Sequence, residues 1–501
     1  MVFRGKPSKA CHRCRKRKLR CDLKSPLCGC CLRAGARCFG YRDPETLRIN
    51  DETEAVRSRA TPRKADSTPK ECGLTPPLAS LPVDILVRAR EIFFAHYIAD
   101  FCRVWDFLYP YFSSITAPDH LTLSIDAVSL AFLSHQFTSP LAQQLGRRKY
   151  VFALRKINAA LQSLRTIHEP ATLQTTLLLD LFEKIMSPVS GGKDSQRAHV
   201  DGALALVKLK QLDHFTDTAG LRVLERLSMN AIISYISQGD PVPPELREIR
   251  EHMARFTNTM DPKWKLSGIV LEVTDLVSAI RRGVFTVPGQ VQRCIELDKQ
   301  LEQVAREASP DWFRERRCIS SRETRSRVLD DFYDVYSTRI TAQRWNALRI
   351  IRIFLSEEIV KTLSAFHDPQ SRLELQRASA TVALTIQEVC ASVPQMTDCE
   401  GAAQQKLPHG LVPRASSMHD HTLSHFLDAY ILIFPLYVAY WSRECPNVVR
   451  IWILQQLEHI ADHFGIKEAK SVVEILRGAN ENGRVGPWEV YRLLGSYAFA
   501  A

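Results

Sequence analysis

From about residue 84 onward, apolar residues recur every three or four positions. Tyr150, Leu154, Ile157, Leu161, Leu164 and Ile167 follow these steps, and the stretch reads as the buried stripe of an amphipathic helix. Comparable stripes run over about 86–101, 172–186, 198–212, 222–237, 339–365, 376–392, 420–441 and 449–463. Gly465 stands where a helix ending near 463 needs a left-handed cap. Period-two runs are scarce, so the expectation is an all-α region with loops at 187–195, 239–245 and 395–421. "LDDFYDVY" at 329–336 mixes acids with aromatics, but Leu329, Phe332, Tyr333 and Tyr336 share a helical face, which predicts buried packing. The uncharged run at 429–441 is shorter than the roughly 20 residues a bilayer requires, and Pro435 interrupts it; it reads as buried helix, and no membrane span is expected.

The periodicity fails upstream. Residues 39–83 have no sustained heptad, and prolines at 44, 62, 69, 76, 77 and 82 predict a flexible, extended linker over 41–83. Any homodimer must therefore form through the helical region, and Thr61, Thr68 and Thr75 each precede a proline, as in proline-directed phosphorylation sites. Charge is just as unevenly placed. Of a net +12, residues 1–50 carry +11, from 14 Lys/Arg against 3 Asp/Glu. Such a basic head on a near-neutral body points to a polyanion, with nucleic acid ahead of an acidic protein or a membrane surface. Arg4, Lys6 and Lys9 punctuate the only N-terminal candidate for a secretory signal, so no export is expected.

Inside that head, Cys11, Cys14, Cys21, Cys28, Cys31 and Cys38 repeat the spacing C-x2-C-x6-C with a period of 17. Inside a reducing cell, clustered cysteines are metal ligands more often than disulfides. Each three-cysteine unit is one thiolate short of zinc's tetrahedral four. Two zinc ions sharing six thiolates require two bridging sulfurs, hence a binuclear cluster with pseudo-twofold symmetry. The competing arrangement, a one-zinc ribbon on Cys11, Cys14, Cys28 and Cys31, leaves two symmetric cysteines unused. Cys30 aligns with Arg13 of the other half and is expected to be a spare thiol. Apart from Leu19, Leu23, Leu27, Leu32 and Phe39 the segment has little to bury, so zinc must supply most of its folding free energy, on the order of 10–16 kcal/mol per site.

Over positions 10–38 the chain resembles the fungal binuclear zinc cluster transcription factors, through "AC", "CR.RK..CD", "P.C..C" and the final Cys38. The resemblance implies that Cys11 and Cys28 bridge the metals, that Pro26 turns one half against the other, and that the first half's short helix enters the major groove of double-stranded DNA. It implies that Lys18 contacts guanines of a CGG-type triplet, beside Arg17, which can reach guanine O6 and N7. Arg13, Arg15, Lys16, Arg20 and Lys24 are then expected on phosphates. More diffusely, "REIFFAHYI", "RRKYVFALRKINAAL" and "HVDGALALVKL" resemble the helical regulatory region found downstream of such clusters.

The expected organisation is a small binuclear zinc cluster domain at 1–40, a flexible linker at 41–83 and a large all-α regulatory domain at 84–501. No P-loop, GxGxxG after a strand, HExxH or GxSxG is present, so catalytic residues are not predicted. His199 is expected to be a core or interface residue. The function read from this pattern is a nuclear, sequence-specific regulator of RNA polymerase II genes, its output controlled by a small effector or coregulator on the helical domain. The rival reading is an enzyme or metabolite-binding helical protein tethered to nucleic acid by its zinc-binding head.

Overall fold

Helix starts in the body are written into the sequence as a short acceptor, often followed by proline. Ser139, Asp261 and Asp368 accept amide hydrogens from Ala142, Lys263 and Ser371, and in each case a proline follows at the first helical position. Proline's missing N–H is no loss there, because the first-turn amides have no intrahelical partner. Thr286, Thr338 and Asp217 cap three further helices in the same manner.

A computed structural model describes residues 10–24, 26–41, 84–114, 116–137, 139–186, 193–319, 327–399, 421–478 and 485–494. Except for Tyr41, the expected linker 41–83 lies outside them, as does most of the expected loop 395–421. The chain divides into two units, Met1–Ala79 and Ser80–Ala501. The first contains helices α1 (His12–Lys16) and α2 (Gly29–Arg33). Among its described residues the second is helical apart from one hairpin. Its helices are α3 (Ile85–Ile92), α4 (Asp119–Phe137), α5 (Pro140–Leu161), α6 (Pro170–Met186), α7 (Lys193–Lys210), α8 (Thr218–Gln238), α9 (Pro244–Ala254), α10 (Pro262–Arg281) and α11 (Val287–Arg306). After strands β1 (Arg314–Cys318) and β2 (Phe332–Tyr336) come α12 (Arg339–Leu363), α13 (Pro369–Ala391), α14 (Val393–Thr397), α15 (Leu423–Tyr430), α16 (Ile433–Trp441), α17 (Asn447–His463), α18 (Lys467–Gly478) and α19 (Pro487–Leu494). One continuous apolar core runs from Phe93 to Leu494, so the body is a single packed unit.

Several expectations are corrected in detail. The stripe 150–167 ends early: α5 stops at Leu161, Thr166 donates its hydroxyl to the Ala160 carbonyl at 2.6 Å, and Leu164 is left 88% exposed. The 420–441 helix is two helices broken at Ile431 and Leu432, and Pro435 falls in the first turn of α16, where a missing amide is harmless. The run is buried over 429–439, as expected, with Tyr440 and Trp441 half-buried at its end. The helix over 86–101 widens at Phe93 into a π-helical stretch to Phe101, whose Phe93, Tyr97 and Phe101 lie four residues apart and are all buried. The expected loop at 187–195 gives way to helix from Lys193. Gly465 does close α17, with φ +70°.

The largest departure is at 329–336. Phe332–Tyr336 is not helix but strand β2, paired antiparallel with β1 from Arg314↔Tyr336 to Cys318↔Phe332. Its buried residues alternate, Asp334 and Tyr336, and the buried Asp334 carboxylate is met by Arg314, Arg316 and Arg349 at 3.4, 3.1 and 3.2 Å. Arg349, fully buried on α12, also reaches Glu388 of α13 at 3.3 Å. A buried carboxylate is tolerated only with such partners, and they select the strand.

Candidate metal centre and nucleic-acid interface

The two halves of the head fold alike at the 17-residue offset. His12–Lys16 maps onto Gly29–Arg33. After each helix an amide returns to the carbonyl five residues back, Leu19 to Cys14 at 2.8 Å and Ala36 to Cys31 at 3.0 Å. This hydrogen bond is the signature of a helix end whose preceding residue is left-handed. Those residues are Lys18, φ +55°, and Gly35, φ +58°. Further along, Leu23 at φ +59° corresponds to Gly40 at φ +76°. The second half thus uses glycine at both left-handed positions, whereas the first holds a lysine and a leucine there at a cost of ~1–2 kcal/mol each.

This backbone gathers the sulfurs. The ligand atoms of Cys11, Cys14, Cys21 and Cys28 lie within 4.8 Å of one another, and so do those of Cys11, Cys31 and Cys38. Individual Sγ separations are 3.7 Å for Cys11–Cys31, 3.8 Å for Cys14–Cys28 and 3.5 Å for Cys21–Cys28. A zinc tetrahedron with Zn–S of about 2.3 Å has edges near ~3.8 Å, so the spacing suits shared metals. Cys11 belongs to both groups, the position of a bridging thiolate, while Cys28 sits with the first. The ribbon set Cys11, Cys14, Cys28 and Cys31 is not the grouping found.

Cys11, Cys14, Cys28 and Cys31 are completely buried, yet Leu19, Leu23, Leu27, Leu32 and Phe39 are 43–67% exposed. The core of the head is therefore its cysteines. Burial, followed by hydrogen bonds with Cys11 and Cys28, holds the Cys14 thiol well above its ordinary range, whereas the Cys11 amide, the leading influence on Cys21, lowers that thiol to about 7. Zinc binding must displace protons from such a set, and the thiolates then outweigh the metal charge.

Lys16, Arg17, Lys18, Arg20 and Lys24 are exposed on this frame; the Arg15 side chain lies outside the described residues. Arg13 instead turns inward, its guanidinium 3.8 Å from Cys31 Sγ, where it can offset thiolate charge. Cys30 falls outside both sulfur groups and accepts from Arg33 at 3.6 Å, although it approaches Asp22 and Cys28. Two contributors went unmarked in the sequence reading. Asp22 accepts the Gly29 amide at 3.0 Å and caps α2, and a Cβ at Gly29 would meet Asp22 Oδ2 at 2.4 Å. Tyr41 packs on the cysteines and donates to the Lys24 carbonyl at 2.7 Å. The "CD" pair was a usable signal for Asp22, but Tyr41 lies beyond the repeat. In the body, His199 meets Glu183 across α6 and α7 at 3.1 Å, an interface role.

Comparison with known families finds a fungal Zn(2)-Cys(6) binuclear cluster domain over residues 9–48 and a fungal specific transcription factor domain over 93–325. The chain belongs to the fungal zinc cluster transcription factors. No curated protein and no solved structure matches it significantly. This zinc cluster factor is a DNA-binding, two-zinc transcription regulator, and the matched regulatory segment runs from the π-helical stretch at Phe93 through β1.

Proposed function

We propose that this zinc cluster factor is a nuclear, sequence-specific regulator of RNA polymerase II genes that reads CGG-type triplets. Residues 1–40 form the reading head, 41–83 the linker and 84–501 the regulatory body. Cys11, Cys14, Cys21, Cys28, Cys31 and Cys38 hold two zinc ions, with Cys11 and Cys28 as the bridges. Zinc supplies the cross-links that a head without an apolar core otherwise lacks. Lys18 and Arg17 read guanine edges, while Arg15, Lys16, Arg20 and Lys24 set register on phosphates, with Arg13 divided between phosphate and Cys31.

The observation that carries this reading is the left-handed Lys18. Its symmetry mate is glycine, the residue that backbone requires, and a lysine kept there while exposed has a use outside the fold. The body controls output by binding a small effector or coregulator in one conformation better than another. In vitro selection of duplex sites with the full-length protein tests the proposal: CGG triplets should be enriched, and Lys18→Ala should abolish that enrichment. Equal enrichment by the variant, or no CGG triplet, would refute it; single, inverted or direct triplets report whether a monomer or a dimer binds.

A further inference from the structure

Away from the head, three donor atoms converge at the edge of the body. Cys399 follows α14, His421 precedes the Thr422 cap of α15, and His463 is the last residue of α17. Cys399 Sγ is 3.2 Å from His463 Nε2, and His421 Nε2 is 3.1 Å from the same nitrogen. All three ligand atoms lie within 4.8 Å of one another.

One imidazole nitrogen has either one lone pair or one proton, so His463 Nε2 cannot make two full hydrogen bonds of the same sense. A cation at the centre satisfies all three donors together. Zn–N of about 2.0–2.1 Å and Zn–S of about 2.3 Å give tetrahedral edges near ~3.3 Å between nitrogens and ~3.5 Å between sulfur and nitrogen, close to the distances found. Cys399 is buried, whereas neither histidine is, which leaves a route for an ion. A cavity of about 240 Å³ borders Cys399, with Asp398, His425 and Phe464 also in its wall, and offers room for a water as fourth ligand.

The surroundings orient the rings. Phe464 packs on His421 with centroids 4.7 Å apart, and His459, one turn before His463, stacks on it at 4.6 Å. Arg327 also lies close to His459. Arg327 itself is engaged with the Thr397 carbonyl at 2.8 Å.

We infer that Cys399, His421 and His463 form a third zinc site, one that fastens the residues on either side of 400–420 to the end of α17. One thiolate with two imidazoles is a donor set suited to zinc. The site is separate from the cysteine cluster in sequence and in structural unit, so its fate does not depend on the DNA-reading proposal.

The test counts metal on full-length protein equilibrated with excess zinc and then desalted, using native mass spectrometry and elemental analysis. Three zinc ions per chain are expected, falling to two in Cys399→Ser and in His421→Ala, while Cys318→Ser, at an exposed cysteine, keeps three. Two ions in the unsubstituted protein, or three in the Cys399→Ser/His463→Ala double variant, would overturn the inference. A second arm leaves the body untouched: a full-length chain whose head is disabled by Cys14→Ala and Cys31→Ala should retain one zinc, and none would overturn it.

Discussion

Replacing Lys18 with glycine separates the fold of the head from its use. At φ +55° an L-residue sits in the left-handed region, at a cost of ~1–2 kcal/mol. Glycine relieves that cost but loses more freedom on folding, which offsets ~0.5–1 kcal/mol. The net is a cluster more stable by about 0.5–1 kcal/mol, and because metal binding and folding are one equilibrium here, apparent zinc affinity should tighten about two- to fivefold. Loss of base contact should meanwhile remove ~1–3 kcal/mol of discrimination, about five- to 150-fold. Lys18→Ala keeps the strained backbone, so it should lose the same discrimination with no gain in zinc affinity. The mirror substitution Gly35→Ala, at φ +58°, should weaken zinc retention and leave base preference intact. Zinc is measured by competition with a chromophoric chelator, and discrimination by fluorescence anisotropy on cognate and scrambled duplexes. If Lys18→Gly released zinc more readily, or still preferred the cognate duplex, the asymmetry between Lys18 and Gly35 would have no functional meaning.

Other consequences are independent of that lysine. Chelation should abolish amide hydrogen-exchange protection over 10–41 while α4 to α6 keep theirs, because only the head has cysteines for a core; protection surviving in the head would contradict this. Lys24→Ala should weaken cognate and random DNA alike and lower the slope of log affinity against log salt by about 1, as for one lost phosphate contact; an unchanged slope would remove Lys24 from the interface. Arg349→Ala should destabilise the body by about 3–5 kcal/mol in denaturant titration, since it strips a buried partner from Asp334 and Glu388. Burial raises the Glu388 carboxyl, but Arg349 and Arg314 outweigh it and hold it below its ordinary value. The folded state then binds that proton less readily than the unfolded chain. The resulting stability is fully present above about pH 4.3 and is lost as pH falls through the lower folded value, so Glu388→Gln should flatten the decline measured between pH 6 and 3.

What could be read in advance follows from how far apart the deciding residues lie along the chain. The cysteine repeat is local, and its period carries ligand set, metal number and symmetry at once. The left-handed pairs were visible too: superposing the halves at 17 residues sets Lys18 on Gly35 and Leu23 on Gly40, although only backbone angles reveal that glycine is the residue the conformation requires. In the body, apolar stripes marked helices because burial of one face acts within a few turns. They did not mark where helices stop, since the hydroxyl of Thr166 and the break at Ile431 and Leu432 interrupt a pattern that continues in hydrophobicity alone. Longer-range pairings left no linear trace. Asp334 selects a strand only because Arg349 and Arg314 arrive from other elements, and Cys399, His421 and His463 span 65 positions with no ligand spacing between them. A search for metal sites by spacing therefore finds the cluster that folds a small segment and passes over the one that ties distant segments together. The second kind needs the tertiary fold before its donors can meet, so its metal should add to the stability of a body already folded rather than create it.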